Sequence, residues 1–343
     1  MLYMNFPTWI SPEVIPGLPI RWYGLMYLVA FGLSFLFFNL QLKKRSIKVD
    51  SDLVVNLYFY MILGLLLGAR IFSALVYDPT GRYLTAPWLI FWPFENGQFV
   101  GLQGMSYQGG LIGAVVAAVI FLKRNNLSVL DWGDMIVISI PFGYTFGRIG
   151  NFINGELYGR VTSGPWGMIF PTARPVPVSA DWVQETAAAA GFMIPEGALL
   201  VNLPRHPSQL YQAGLEGIVV GLILWFIVRP RRPFHGFGIA MYLILHSVAR
   251  FFAEYAREPD AQLGYVISWS GQDNPTQVFH SFLDISMGQV LSILMAGAGA
   301  ILLMIFWQIH QRRPRIEIVG NSSDGSKKSV NRPTKGKTKR TKR

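Results

Sequence analysis

The sequence predicts an all-α polytopic membrane protein of about seven transmembrane helices, with its N-terminus outside, its C-terminus cytoplasmic and a small external cap. Three observations carry that expectation. Of 343 residues, 51% are hydrophobic and only 14% charged, with a mean hydropathy of +0.34, whereas charged residues make up about a quarter of an ordinary soluble chain. Seven mainly apolar segments each approach the ~20 residues needed to cross a hydrocarbon core. Lys and Arg concentrate in alternate connectors, which the positive-inside rule places in the cytoplasm.

Taken in order, the expected spans are 22–42, 53–77, 105–122, 135–153, 209–228, 237–256 and 287–310. The start of the chain has neither a basic leader nor a small-residue cleavage site, so the first span is expected to be retained rather than removed as a signal peptide. KKRSIK follows the first span, Lys123 and Arg124 the third, RPRR the fifth and a basic tail the seventh. That alternation puts the Pro- and Gly-rich segment 158–207 outside, long enough for a small cap with a strand or short helices. Residues 1–311 are expected to form one transmembrane domain, with no internal repeat.

The formal charge of +11 invites a nucleic-acid reading, but 12 of the 30 Lys and Arg residues lie beyond His310. The Ser/Lys/Arg-rich stretch 312–343 cannot bury a core and reads as a disordered cytoplasmic tail drawn to anionic headgroups. No nucleic-acid partner is expected. The chain has no cysteine, which excludes disulfides, thiolate metal sites and a cysteine nucleophile. Any thiol chemistry must use a thiol that the substrate brings. No His/Asp/Glu grouping has a metal-site spacing, so neither metal nor cofactor is expected.

Charged side chains at membrane depth cost about 2.5 to 3.5 kcal/mol each on insertion scales, and therefore need partners or a wet cavity. The candidates are Arg70, Asp134, Arg148, Glu216, Arg250 and Glu254, with Glu156 and Arg257 near span ends. His246, Arg250 and Glu254 stand at i, i+4 and i+8, so one helical stripe presents imidazole, guanidinium and carboxylate in a row. The alternatives are a structural ion pair for Arg250 and Glu254, and snorkelling for Arg148. Two arginines inside apolar helices are better explained by an anionic ligand, because a guanidinium stays charged and binds phosphate through paired hydrogen bonds. Glycines crowd the same places, in GMSYQGGLIG and in GRIGNFINGELYGR, where close helix approach or irregular backbone lining a cavity is allowed. Glu216 reads as a helix–helix hydrogen-bonding residue, Arg70 as a further lipid or partner contact, and Arg205 and His206 as interfacial or substrate-contacting. His235, His280 and His310 carry no chemistry in this reading.

Several stretches resemble the bacterial prolipoprotein diacylglyceryl transferases: RWYGLMYLVAF at 21–31, GMSYQGGLIG at 104–113, GRIGNFINGELYGR at 147–160, PRHPSQLY at 204–211, ARFFAEYAREPDAQ at 249–262 and SMGQVLS at 286–292. They run from about residue 20 to 310 and leave the tail uncovered. The resemblance implies a multi-pass enzyme of the bacterial plasma (inner) membrane, working toward its outer, periplasmic side. Its partners would be phosphatidylglycerol, other membrane lipids, and prolipoprotein signal peptides with a lipobox cysteine, onto whose sulfur the diacylglyceryl group is moved as glycerol phosphate leaves. By matching position, Arg148 and Arg250 are the family's essential arginines, and Tyr23, Asn151, Glu156, Gly159 and Glu254 its other sensitive positions. The arginines would hold the phosphodiester and stabilise charge on the departing phosphate. Glu156 and Glu254 would fix their orientations.

Two positions depart from the family pattern. Gln108 stands where the family usually carries a His proposed as the base, and an amide cannot accept that proton. His246 stands where Tyr is common, one turn before Arg250. Either His246 has taken over as base, or no side-chain base is needed, because a thiol of pKa about 8.5 is already partly ionised and nearby arginines lower that value. A lipid transporter or flippase, or an inactive lipid-binding relative, are the competing readings.

Overall fold

In the computed structural model, the described residues are 3–312 apart from 16, 18–20, 96, 100, 102–103, 260–263 and 272–274. The basic tail expected from residue 312 onward therefore lies, past Arg312, outside the described residues. Helices dominate: α1 Trp22–Lys44, α2 Ser51–Val76, α3 Tyr107–Arg124, α4 Val129–Ile153, a short α5 Asp181–Ala190, α6 Ser208–Val228, α7 Phe237–Ala253 and α8 Met287–Arg312. Six of these, namely α1, α2, α3, α6, α7 (with the turn to Ala256) and α8, are long and apolar enough to cross a membrane. Their outward faces carry large exposed apolar side chains such as Leu28, Phe59, Leu111, Phe226 and Leu294, which suits lipid rather than water as solvent.

The fourth expected span coincides with α4, but that 25-residue helix is not among the six. It starts six residues earlier than its apolar run, because Ser128 caps it by accepting from Asp131 N, and it carries two aspartates into the bundle. Both are compensated. Asp134 is wholly buried and accepts from Gly236 N, Ile239 N (each at 2.9 Å) and Arg232. Asp131 meets Arg45, Arg232 and His235 at 3.0, 2.7 and 3.2 Å. One ionic cluster thus ties α1, α4 and the entry to α7 together.

Helices pack in pairs through small residues. A Cβ on Gly113 or Gly109 would collide with the backbone of Gly64 or Gly68, so α2 and α3 touch backbone to backbone. Gly143 does the same against Ala30, bringing α4 onto α1, where Gln41 Nε2 donates to Met135 O at 2.8 Å and Phe37 stacks on Phe142. Between α6 and α4, Gly217 leaves room for Thr145. Helix α6 is unusual. From Ala213 to Val219 and again from Ile223 to Val228 it winds with wide, π-helical turns, a feature frequent at functional sites.

Segment 158–207 has its own small core of Val161, Val176, Val183, Ala187, Val201 and Leu203. The chain's start joins it, because Tyr3–Asn5 pairs in parallel with Gly167–Ile169 and Phe6 packs on Met168 and Phe170. Arg70 is 5% exposed and donates to Ile90 O, Gly104 O and Tyr83 Oη, so it secures the connector between α2 and α3.

Candidate active site

Three helices, α4, α6 and α7, converge on one polar network that continues to Ser286 just before α8. From α4, Arg148 donates through Nε to the Tyr144 hydroxyl one turn earlier, at 2.7 Å, and lies over that ring with its guanidinium carbon 4.8 Å from the centroid. The Tyr144 hydroxyl in turn donates a hydrogen bond to Glu216 Oε2 on α6 at 2.6 Å, the short distance of a charge-assisted bond. Glu216 is 1% exposed, and its two oxygens also approach α7: Oε1 lies 3.8 Å from Arg250 Nη1, and Oε2 lies 3.7 Å from His246 Nε2. One turn on, Glu254 pairs with Arg250 Nη2 at 2.9 Å and accepts from Ser286 Oγ, which leads into α8.

The stripe His246, Arg250, Glu254 is therefore one surface, as the i, i+4, i+8 spacing predicts. His246 is wedged between aromatic rings, stacked on Tyr242 and edge-on to Tyr144. Arg250 Nη1 and His246 Nδ1 are buried without a hydrogen-bond partner. Arg250 Nη1 thus keeps the Glu216 carboxylate nearby, at 3.8 Å, longer than a hydrogen bond, while Glu254 and Glu216 balance the guanidinium charge. Tyr107, at the start of α3, lies within the electrostatic reach of Arg148, Arg250 and Glu216.

A second cluster sits where α4 ends. Asn151 Nδ2 donates to Glu156 Oε1 at 2.9 Å, and Gln209 Nε2 donates to Glu156 O at 2.7 Å, fixing the turn between α4 and the start of α6. The turn itself uses Gly155 at φ +65, a conformation that side-chain-bearing residues resist. The Tyr23 ring packs beside Gly150, and its hydroxyl bonds Tyr27 and feels the charges of Glu156 and Arg148. Gly159 N donates to His206 O, and its Cα faces the carbonyl of Ala256 and the Cβ of His206 so closely that no side chain fits. Burial, with Arg160 nearby, pushes the His206 imidazole down to about 4, so it is neutral at physiological pH.

A family model for prolipoprotein diacylglyceryl transferase matches residues 12–305. The chain belongs to the prolipoprotein diacylglyceryl transferase family. Among its relatives, a phosphatidylglycerol–prolipoprotein diacylglyceryl transferase of Treponema pallidum is 47% identical over 87% of this chain and 94% of the relative. Proteins of the same name from Treponema denticola and Borrelia garinii are 45% and 40% identical, over 90% and 91% of this chain and 95% and 96% of theirs.

Within this transferase fold, Arg148, Arg250, His246 and Glu254 are gathered into one network, and Tyr23, Asn151 and Glu156 into the cluster beside it. Gly159 is packed between His206 and Ala256, just past the end of α7. Gln108 is placed differently. It is exposed, and its amide oxygen accepts from Tyr77 Oη at 3.3 Å and Ser106 Oγ at 3.2 Å; among the described residues it has no hydrogen bond to either arginine. Sequence reading missed Tyr144, while Glu216 is the helix–helix hydrogen-bonding residue expected, joining α6 to α4. The available signal was the i, i+4 spacing of Tyr144 and Arg148, together with an isolated acid in the apolar run of α6. Near the network, Gly288 faces the Glu254 carboxylate so closely that a Cβ would overlap it. Gly288→Ala is expected to displace Glu254 from Arg250 and lower transferase activity by about 10-fold, read as initial rate per mole of folded enzyme.

Proposed function

We propose that this chain transfers the diacylglyceryl group of phosphatidylglycerol to the sulfhydryl of a lipobox cysteine in prolipoproteins, forming a thioether and releasing glycerol phosphate. It would do so as a seven-span protein of the bacterial inner membrane. The N-terminus and the 158–207 cap would lie outside, the C-terminal tail in the cytoplasm, and the site toward the outer face. The observation that carries the reading is a pair of arginines on adjoining long helices, joined through Tyr144 and Glu216, with Arg250 Nη1 left without a hydrogen bond.

In the reaction, the thiol S–H breaks and the thiolate pair attacks the glyceryl carbon that carries the phosphate. A C–S bond forms as the C–O bond breaks, and the electron pair moves onto the departing phosphate oxygen. Arg148 and Arg250 hold the phosphodiester and stabilise that growing charge, as preorganised donors do most effectively where water is excluded. Asn151 and Glu156 set the turn that carries Arg148, Tyr23 lines the approach, and Glu254 orients Arg250. Gln108 offers the substrate a polar contact and no proton transfer.

For the thiol proton, His246 is the basic ring adjacent to the arginines. His246→Ala is expected to lower turnover by about 100-fold with phosphatidylglycerol binding retained. Near-normal turnover would instead leave ionisation to the field of the arginines. The activity itself is tested by incubating purified protein with phosphatidylglycerol and a lipobox peptide, with a diacylglyceryl mass gain on cysteine as the expected product. Unchanged peptide mass with lipid crossing the bilayer would replace this reading with that of a transporter.

A further inference from the structure

We infer that Tyr144 and Glu216 form a positioning relay that makes the two guanidiniums a single phosphate-binding unit. The inference rests on the reading of Arg148 and Arg250 as lipid-phosphate ligands, and it assigns a role to two residues outside the expected site. A lone carboxylate buried in an apolar helix is costly and needs compensation. The simplest compensation would be a bidentate pair with a guanidinium at about 2.7 to 2.9 Å. Glu216 does not make it. Its strong bond is the 2.6 Å contact from the Tyr144 hydroxyl, while Arg250 remains 3.8 Å away and Oε1 has no hydrogen-bond partner.

The geometry has two effects. Because its proton is committed to Glu216, Tyr144 turns an oxygen lone pair toward Arg148 Nε and fixes that guanidinium by one edge. Because Glu216 is held by Tyr144, it lies close enough to balance the charge of Arg250 without occupying Nη1, which stays buried and unbonded. The wide turns of α6 between Ala213 and Val219 carry Glu216, so the carboxylate is presented from irregular helix of the kind that recurs at functional sites. Tyr144 and Glu216 touch the arginines and not the reacting atoms; they act by position and charge.

The test compares Tyr144→Phe, Glu216→Gln and the double variant in lipid nanodiscs, reading kcat, KM for phosphatidylglycerol, direct phosphatidylglycerol binding and Tm. Y144F removes the relay hydroxyl and little else. E216Q keeps an oxygen that accepts from Tyr144 but removes the charge. Each single variant is expected to lose about 10- to 100-fold in kcat/KM with weakened lipid binding and little change in Tm. The double variant should be no worse than the poorer single, because either change breaks the same relay. A folded Y144F or E216Q with near-normal kcat/KM, or losses that multiply in the double variant, would overturn the relay. Should the wild-type protein form no thioether, the functional reading fails on its own, and the relay is then judged on phosphatidylglycerol binding alone.

Discussion

Arg250→Lys is expected to lower kcat/KM for diacylglyceryl transfer by about 100- to 1000-fold, the scale on which single preorganised donors to a developing anion act. Arg250 spends one nitrogen on Glu254 at 2.9 Å and keeps Nη1 unbonded, facing Glu216. A guanidinium performs both tasks because its donors are fixed in one plane at different edges. An ammonium is a single point of charge on a flexible stem, so Lys at this position settles on Glu254 or Glu216 and leaves no directed donor for phosphate. The helix is expected to persist, because Lys is as good a helix former as Arg. The measurement is steady-state transfer with phosphatidylglycerol and a lipobox peptide, with Tm as the control for folding. A Lys variant within a few-fold of wild type would remove Arg250 from the proposed phosphate site.

Gly159→Ala is expected to destabilise the fold by about 1 to 3 kcal/mol and to abolish most activity with it. An added Cβ would fall on the carbonyl oxygen of Ala256 and within 2.9 Å of His206 Cβ and 3.0 Å of His206 O. Neither neighbour is free to retreat. Gly159 N donates to His206 O at 2.9 Å, Arg160 N donates to Ala256 O at 3.0 Å, and His206 N donates back to Arg160 O at 2.9 Å. Ala256 lies two residues past Glu254, so pushing it away moves the carboxylate that orients Arg250. A lowered thermal midpoint together with lost transfer is the expected pair of readings. Retention of both would show that the close approach relaxes without consequence.

Much of the architecture was legible because hydropathy over about 20 residues is a local property. Seven apolar segments became seven long helices, with boundaries shifted mainly where a cap intervened, as at Ser128. The stripe of His246, Arg250 and Glu254 was legible for the same reason, since residues four apart share a face within one helix. The junction between helices was not. Hydrophobicity does not say how an embedded helix is rotated against its neighbours, because lipid and protein interior are similarly apolar.

The sequence by itself determined the family, the apolar segments and the positions of the unusual charges. Tertiary structure alone decided that Tyr144 and Glu216 connect Arg148 to Arg250, that Gln108 bonds Tyr77 and Ser106, that Arg70 secures a connector, and that Gly159 is pressed against Ala256. Each of these depends on which small residues let two backbones meet and on the wide turns of α6. The physical reason is that a polar group at membrane depth takes its meaning from the partner opposite it, and that partner lies on a different helix.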